Sequence, residues 1–400
     1  MVEPISFWAS LFYGALGIAS VLKNALPRLK NAYQLRNLRF ESGGNPQIRV
    51  NYGSHRLSKL PRDGVVIGGA VKLLQLQKHF PHRETGFNLA YLVSSALPPY
   101  AVDLVRGIKD QGCKLVWNQN GVAYPAWCGD FYPWFNRTMR ELIHLADFVI
   151  YQSAFCKMSA DRYLGKTQAP HQILFNPLDP EEFYPAEKPP DFSRYELLAI
   201  GTSHHFYRIL SSLQTLEVLH KEWGISAHLT IAGKLNWRGA EAQVNRAIRQ
   251  LKLRDHVTIF PSFTRLEARA LYRKAHVLLH PKYKDPCPTV AIEAMAMGIP
   301  VVASNSGGMP ELVPPTAGIL VNVPDDWTRD HAPPPRELAA AIVKIMDNYA
   351  AYSTAAREHA VRTFHKDYWI QAHQAIFHDL LSGTIQPQAL TEHFLTNSTP

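Results

Sequence analysis

Short apolar runs alternate with helical patterns along most of the chain, and this alternation constrains the fold more than any other feature. In the first half, the runs VVIGG, FNLAYLVSS, KLVWN, FVIYQS and HQILFN indicate buried strands. Between them lie YAVDLVRGIKDQG, WFNRTMRELIHLA and AFCKMSADRYLG, each with apolar positions at helical spacing. Such alternation predicts parallel strands joined by crossover helices, which is a doubly wound α/β domain.

The alternation stops at residues 177–196, where five prolines and a cluster of charges carry no sustained period. It restarts with the strand-like runs LLAIG, LTIAG, VTIFPSF, HVLLHP and IPVVAS. At 400 residues the chain also exceeds what one core usually organises. We therefore predict a first domain at 45–180, a linker at 181–196 and a second Rossmann-like domain at 197–365. Residues 384–400 have the composition of a frayed tail.

The N-terminal segment, residues 1–40, contains 18 uncharged residues from 5 to 22, at the lower edge of a membrane span. It differs from a cleaved signal peptide, because the residues before it include an acidic residue, Glu3, and no basic residue. One interpretation is a helix buried against the body of the protein. The other is an anchor or interfacial helix, whose following basic residues attract anionic headgroups and keep the rest of the chain in the cytosol.

Composition limits the cellular context and the partners. Four cysteines without a CxxC pair are too few for a disulfide scaffold, which favours a reducing, cytoplasmic interior. The net charge of +9 favours anionic partners. No nucleic-acid recognition motif accompanies it, so we do not predict a nucleic-acid partner.

The stretch DPCPTVAIEAMAMGIPVVASNSGGMPEL, residues 285–312, carries the strongest chemical signal. The prolines and the AIEAMAM run predict a helix that begins near Thr289, and Gly298 ends it. Asp285 then lies on the loop before the helix and Glu293 about one turn inside it. Both can face the crevice at the carboxyl ends of parallel strands.

The start of this helix is a candidate phosphate site, because helix N-termini present unpaired amides and a partial positive charge. Our candidates are the amides of Thr289 and Val290. Carboxylates beside such a site should avoid the phosphate and accept hydrogen bonds from hydroxyls. A ligand with hydroxyls on both sides of a diphosphate is a nucleotide sugar.

This stretch resembles the donor-site signature of glycosyltransferase family 4, whose members are retaining enzymes with the GT-B fold of two facing Rossmann-like domains. The matching residues are Asp285, Glu293, Ala294, Gly298, Pro300, Val301, Val302, Gly307, Gly308 and Glu311. The first acid is Asp where many members carry Glu, and the D-P-C-P form resembles one subgroup.

The resemblance implies roles for several residues. Glu293 would bind the ribose hydroxyls and Asp285 the transferred sugar. Gly201 and Arg208 would lie at the diphosphate, whereas Thr202 stands where an Arg is frequent. Because a threonine cannot supply the charge of that arginine, Lys234 is our candidate for the corresponding phosphate interaction.

The resemblance also implies that a C-terminal helix, residues 366–383, crosses back to complete the first domain. In that domain Gly68, Gly69 and Asn120 are candidates for contact with phosphate or acceptor. The aromatic run after Asn120 either stacks on an acceptor or packs in the core. The His204–His205 pair indicates a polar loop, and we expect neither a metal nor a cofactor besides the nucleotide sugar.

The predicted function is sugar transfer from a nucleotide sugar to a glycan, a lipid-linked acceptor or a small molecule. Two alternatives stay open. A sugar-nucleotide epimerase of the same architecture would need no acceptor, and a carbohydrate- or lipid-binding scaffold would no longer bind a donor.

Deletion of residues 1–30 tests the membrane interpretation. If the apolar segment is the anchor, the deletion should release the protein from anionic liposomes in a flotation assay. Persistent flotation of the deleted chain would place the membrane-binding surface elsewhere.

Overall fold

The computed structural model describes residues 47–53, 68–98, 100–186 and 191–385. The predicted N-terminal helix and the tail beyond residue 385 lie outside the described residues. Two parallel sheets with helices on both faces form the molecule, which confirms the predicted α/β class.

The first sheet has five described strands in the spatial order β1-β2-β3-β4-β5, all parallel. The strands are β1 (Val50–Asn51), β2 (Leu89–Val93), β3 (Lys114–Gln119), β4 (Phe148–Tyr151) and β5 (His171–Ile173). The helices are α1 (Gly68–Gln77), α2 (Ala101–Lys109), α3 (Pro125–Cys128), α4 (Tyr132–Leu145) and α5 (Ala154–Tyr163), with a 3₁₀ turn at Gly129–Phe131.

Alternate residues of each strand pack on opposite faces, as the pleat requires. In β2, Ala90 and Leu92 face the cluster that includes α2, α4 and α5. Leu89, Tyr91 and Val93 face α1 on the other side. Burial on both faces explains why the central strands read as continuous apolar runs.

The second sheet has six described strands in the order β11-β10-β9-β6-β7-β8, again all parallel. They are β6 (Tyr195–Ile200), β7 (Ala227–Ala232), β8 (Val257–Phe260), β9 (Val277–His280), β10 (Val301–Asn305) and β11 (Gly318–Asn322). The connecting helices are α6 (Phe206–Lys221), α7 (Ala240–Gln250), α8 (Arg265–Lys274), α9 (Thr289–Ala296), α10 (Met309–Leu312) and α11 (Pro335–Asp347), with a 3₁₀ turn at Arg254–His256.

Two strands differ from the sequence interpretation. β1 and β11 carry no strand prediction, because β1 has only two residues and the apolar run of β11 is short. The predicted strand VVIGG falls largely outside the described residues, and its glycines Gly68 and Gly69 are the first two residues of α1.

The C-terminal segment forms two helices, α12 (Tyr349–Phe364) and α13 (Lys366–Ser382), and α13 occupies the range 366–383 of the predicted crossing helix. α12 packs on α9 in the second domain. At His365 the chain bridges to Leu178 of the connection between the domains. α13 then buries Trp369, Ile376 and Phe377 against the first sheet, on the same face as α1.

Within the described residues, no helix combines the length and apolarity that a membrane crossing requires.

Phe377→Ala tests the contribution of α13. The ring is fully buried and lies 5.2 Å from the Phe80 ring and 5.9 Å from the Tyr91 ring, centroid to centroid. Its removal should lower the free energy of unfolding of the first domain by about 3–5 kcal/mol, measured by denaturant titration. Tyr368→Ala is the matched control in the same helix, because Tyr368 is 53% exposed and its removal should change stability by less than about 0.5 kcal/mol. Equal effects of the two substitutions would contradict the packing role of α13.

Candidate active site

The second sheet reverses its strand order between β6 and β9, because β7 extends it on one side and β10 on the other. A crevice forms where the connections after these two strands diverge. Gly201 follows β6 with φ +100°, and a Cβ there would lie 3.6 Å from the Val290 side chain. Two predicted site residues, Gly201 and Val290, thus meet in this crevice.

Helix α9 begins at Thr289 as predicted, directly after Pro288. Gly298 follows the helix with φ +71°, a conformation that favours glycine. The amides of Thr289 and Val290 belong to the first turn, where a helix has no internal acceptor for its N–H groups. They are therefore suited to an anion.

Asp285 lies on the loop between β9 and α9 and is 7% exposed. Its carboxylate accepts a hydrogen bond from His280 Nε2 at 2.9 Å and contacts Lys282 Nζ at 3.0 Å. Burial alone would raise the pKa of Asp285, but the Lys282 ammonium and the His280 hydrogen bond hold it well below its usual range. The crevice thus contains a buried carboxylate that stays ionised.

Arg208 acts on this carboxylate through His280. The buried guanidinium donates from Nη2 to the Ile200 carbonyl at 2.8 Å and lies 3.3 Å from His280 Nδ1. An arginine can only donate, so Nδ1 must accept and the proton of the neutral imidazole is on Nε2, facing Asp285. Burial lowers the pKa of His280 to about 4, with the Arg208 charge acting in the same direction.

The predicted contact of Arg208 with a diphosphate stays a prediction. Arg208 is only 5% exposed, and Nη1 donates to the Thr202 carbonyl at 3.1 Å. In the described geometry the guanidinium is therefore a positioning group rather than a surface for a ligand.

The Gly-Gly pair of the signature supports the Asp285 loop by close backbone packing. Gly308 N donates to the Asp285 carbonyl at 2.8 Å. A Cβ on Gly307 would lie 2.4 Å from that same oxygen, and a Cβ on Gly308 would lie 2.0 Å from the Pro286 carbonyl oxygen. No side chain fits at either position, which explains both glycines.

Glu293 lies one turn into α9 and is partly exposed. Its carboxylate accepts a hydrogen bond from the Tyr272 hydroxyl at 3.0 Å. Burial raises the pKa of Glu293 to about 7, although the Arg265 charge and the Tyr272 hydrogen bond oppose the shift. Arg265 is itself paired with Glu182. Glu293 therefore retains capacity to accept further hydrogen bonds.

The first domain closes over the Asp285 loop with backbone and small side chains. A Cβ on Gly121 would lie 2.7 Å from the Pro286 ring. Ser153 Oγ donates to the Pro286 carbonyl at 2.7 Å. Glu311 of the signature accepts from the amides of Ala154 and Phe155 at 2.6 and 2.8 Å, which caps the start of α5 across the domain boundary.

An aromatic cluster joins the domains beside Asp285. The Lys284 ammonium is buried 4.0 Å from the centroid of the Trp327 ring. Trp327 stacks on Phe155 of the first domain at 5.6 Å and meets Tyr124 edge-on at 5.3 Å. Of the predicted aromatic run, Tyr124 thus packs between the domains. The Trp127, Phe131 and Phe135 side chains are exposed by at least 40%.

The remaining predicted residues are Lys234 in the second domain and Gly69 and Asn120 in the first. Lys234 is exposed, and its carbonyl accepts from Ser203 N at 2.9 Å. Gly69 packs on the first domain, because a Cβ there would lie 2.3 Å from Ser95 Oγ. Asn120 donates to the same serine from Nδ2 and accepts a hydrogen bond from Lys72. Lys72 itself was not predicted from the sequence.

His205 pairs with Asp330 at 2.5 Å. Across the ranges that the structure describes, no three His, Cys, Asp or Glu side chains stand close enough to hold a metal.

Sequence reasoning also missed His280 and Lys282. Both signals were present, because His280 ends the strand-like run HVLLHP and Lys282 stands three residues before Asp285. Their importance depends on the turn that folds both back onto the carboxylate.

Residues 185–358 match the family described as glycosyl transferases group 1. The D-inositol 3-phosphate glycosyltransferase of Mycobacteroides abscessus is 39% identical over 111 residues, which cover 28% of this chain and 23% of that protein. A glycogen synthase of Mycobacterium tuberculosis is 27% identical over 219 residues, 54% of this chain and 49% of that protein. The chain thus spans between about a quarter and half the length of these relatives.

Solved structures match over both domains. Sucrose-phosphate synthase from Thermosynechococcus elongatus superposes with a TM-score of 0.57 at 19% identity, over 79% of this chain and 77% of that one. Anabaena HepE in complex with UDP-glucose superposes with a TM-score of 0.59 at 17% identity, over 77% of this chain and 81% of that one. The chain therefore has the predicted GT-B fold, and its second domain matches the glycosyl transferases of group 1.

Proposed function

We propose that the protein transfers a sugar from a nucleoside diphosphate sugar to an acceptor held by the first domain, with retention at the anomeric carbon. The observation that carries the proposal is the ionised, buried Asp285 beside the start of α9. Burial of an ionised carboxylate is costly, and such groups concentrate at functional sites.

The donor lies along the crevice in this proposal. Glu293 accepts hydrogen bonds from the ribose hydroxyls, and the amides of Thr289 and Val290 hold the diphosphate. Lys282, which is partly exposed beside Asp285, supplies the nearby positive charge. Complexes of Anabaena HepE with UDP and UDP-glucose support a nucleotide sugar as the ligand of this architecture.

Chemistry then requires stabilisation of two developing charges. The leaving phosphate gains negative charge, which Lys282 and the preorganised amides stabilise without a metal. Asp285 positions the transferred sugar while positive charge develops at the anomeric carbon. The acceptor attacks from the side of the departing phosphate, which takes the acceptor's proton. Closure of the first domain over the Asp285 loop excludes the water that would otherwise hydrolyse the donor.

The network around Asp285 argues against a decayed binding scaffold. Arg208, His280 and Lys282 all act on one carboxylate, and the cost of keeping that charge buried favours a working site over a decayed one. Incubation with the nucleotide sugar alone distinguishes an epimerase from a transferase, because an epimerase would isomerise the nucleotide sugar without a second substrate.

Calorimetric titration of UDP-, GDP- and ADP-sugars into the wild type and Glu293→Gln tests the donor site. We expect selective binding by the wild type and roughly 10- to 150-fold weaker binding by the variant, because hydrogen bonds to a charged group contribute about 1.5–3 kcal/mol each. Wild-type affinity should rise from pH 6 to pH 8, since the pKa of Glu293 is about 7 and the ionised form accepts the hydroxyls. The variant should not show this pH dependence.

Glu337→Gln is the matched control. Glu337 is exposed on α11, whose buried residues pack in the other core cluster of the second domain, apart from that of α9. Its substitution should leave both affinity and pH dependence unchanged. Equal affinity of wild type and Glu293→Gln for the selected donor would remove Glu293 from the site, and no binding of any donor would count against the proposed function.

A further inference from the structure

Lys72 is a buried cation that the proposed reaction does not use. It lies in α1, is 3% exposed, and donates to Asn118 Oδ1 and Asn120 Oδ1 at 2.8 Å and to Gln152 Oε1 at 2.9 Å. These bonds use all three N–H groups of the ammonium. The three acceptors are neutral, and within the described part of the chain no carboxylate pairs with Lys72.

Among the described residues Lys72 thus has no counter-ion, which is unusual for a buried lysine, since buried charges are normally paired. Burial lowers the pKa of Lys72 to about 8, and the nearby thiols of Cys287 and Cys156 act in the opposite direction. A negative charge from outside these residues would therefore stabilise the ammonium.

The lysine also fixes the orientation of the three amides. An ammonium has no acceptor, so each amide must turn its oxygen toward Lys72 and its NH₂ group away. Asn120 shows the result, because its Nδ2 donates away from the lysine to Ser95 Oγ. The Lys72 cage, defined as Lys72 with Asn118, Asn120 and Gln152, thus combines a buried positive charge that has no counter-ion among the described residues with one partly exposed amide, that of Asn120.

The Lys72 cage lies across the cleft from the Asp285 loop. Asn120 precedes Gly121, where a Cβ would lie 2.7 Å from the Pro286 ring, and Gln152 precedes Ser153, which donates to the Pro286 carbonyl. Two of the three cage amides are thus one residue away from contacts with the loop that carries Asp285. Asn120 is only partly buried, so the cage reaches the surface at this residue.

We propose that the Lys72 cage is an anion subsite on the first-domain wall of the cleft, and that it binds a phosphate group of a substrate. This inference rests on the proposed function in placing the substrates in that cleft. The phosphate has two sources with the same chemistry: the diphosphate of the donor, or a phosphate carried by the acceptor.

Calorimetric titration of pyrophosphate and of inorganic phosphate into the full chain tests the subsite. The wild type should bind at least one of the two, and Lys72→Met should bind it at least 10-fold more weakly. Asn120→Asp should weaken binding to a similar extent, because it places a carboxylate against the ammonium and thereby supplies the missing counter-ion.

Thermal unfolding separates this role from a purely structural one. Lys72→Met removes a buried group and should lower Tm, whereas Asn120→Asp should maintain or raise Tm while its anion affinity falls. If Lys72→Met does not fold, Asn120→Asp decides alone. Unchanged anion affinity in a folded variant, or no anion binding by the wild type at millimolar concentration, would overturn the proposal.

Repeating the titration at saturating nucleoside diphosphate identifies the source. Displacement of the anion by the nucleotide assigns the cage to the donor diphosphate, and simultaneous binding assigns it to a phosphorylated acceptor. If the protein binds an anion through Lys72 but binds no nucleotide sugar, the proposed function is contradicted and the anion subsite is supported.

Discussion

The ionised state of Asp285 is the constraint on which the rest of the site depends. Two neighbours act on the carboxylate directly, Lys282 by its charge and His280 by a hydrogen bond. The hydrogen bond from His280 forms only when the imidazole proton is on Nε2, and Arg208 enforces this tautomer by donating to Nδ1. A single buried charge thus explains an otherwise costly set of a buried arginine, a neutral buried histidine and two glycines under the loop.

The contact between the domains uses few side chains of the first domain. Gly121 presents backbone to Pro286, Ser153 presents one hydroxyl, and α5 presents two amides to Glu311. The larger apolar contribution comes from Phe155 and Tyr124 around Trp327. Because the lysine over Trp327 is the residue before Asp285, the position of the carboxylate is tied directly to the docking of the first domain.

Much of the fold follows from the sequence, because strands buried on both faces give continuous apolar runs and their crossover helices give apolar positions at helical spacing. The start of α9 at Thr289 was equally predictable, from the prolines before it and Gly298 after it. By contrast, β1 was not predicted, because a two-residue strand is defined by its pairing with β2 and not by a pattern of its own. Arg208 shows the same limit, because a sequence gives the charge and not the direction in which the side chain turns.

The Lys72 cage could not be predicted for a related reason. Its members come from α1, from the end of β3 and from just beyond β4, and only the parallel sheet brings these three positions together. Amides at the ends of two neighbouring strands were a visible signal, but their common partner was not.

Helix α13 has a consequence for synthesis on the ribosome. The first sheet is made early, yet one of its faces is covered by Trp369, Ile376 and Phe377 near the other end of the chain. The second domain is therefore translated before the first domain can finish folding, whereas domains usually mature in the order of their synthesis. During that interval α1 covers only part of this apolar face, and the part that α13 later buries lacks its final partner.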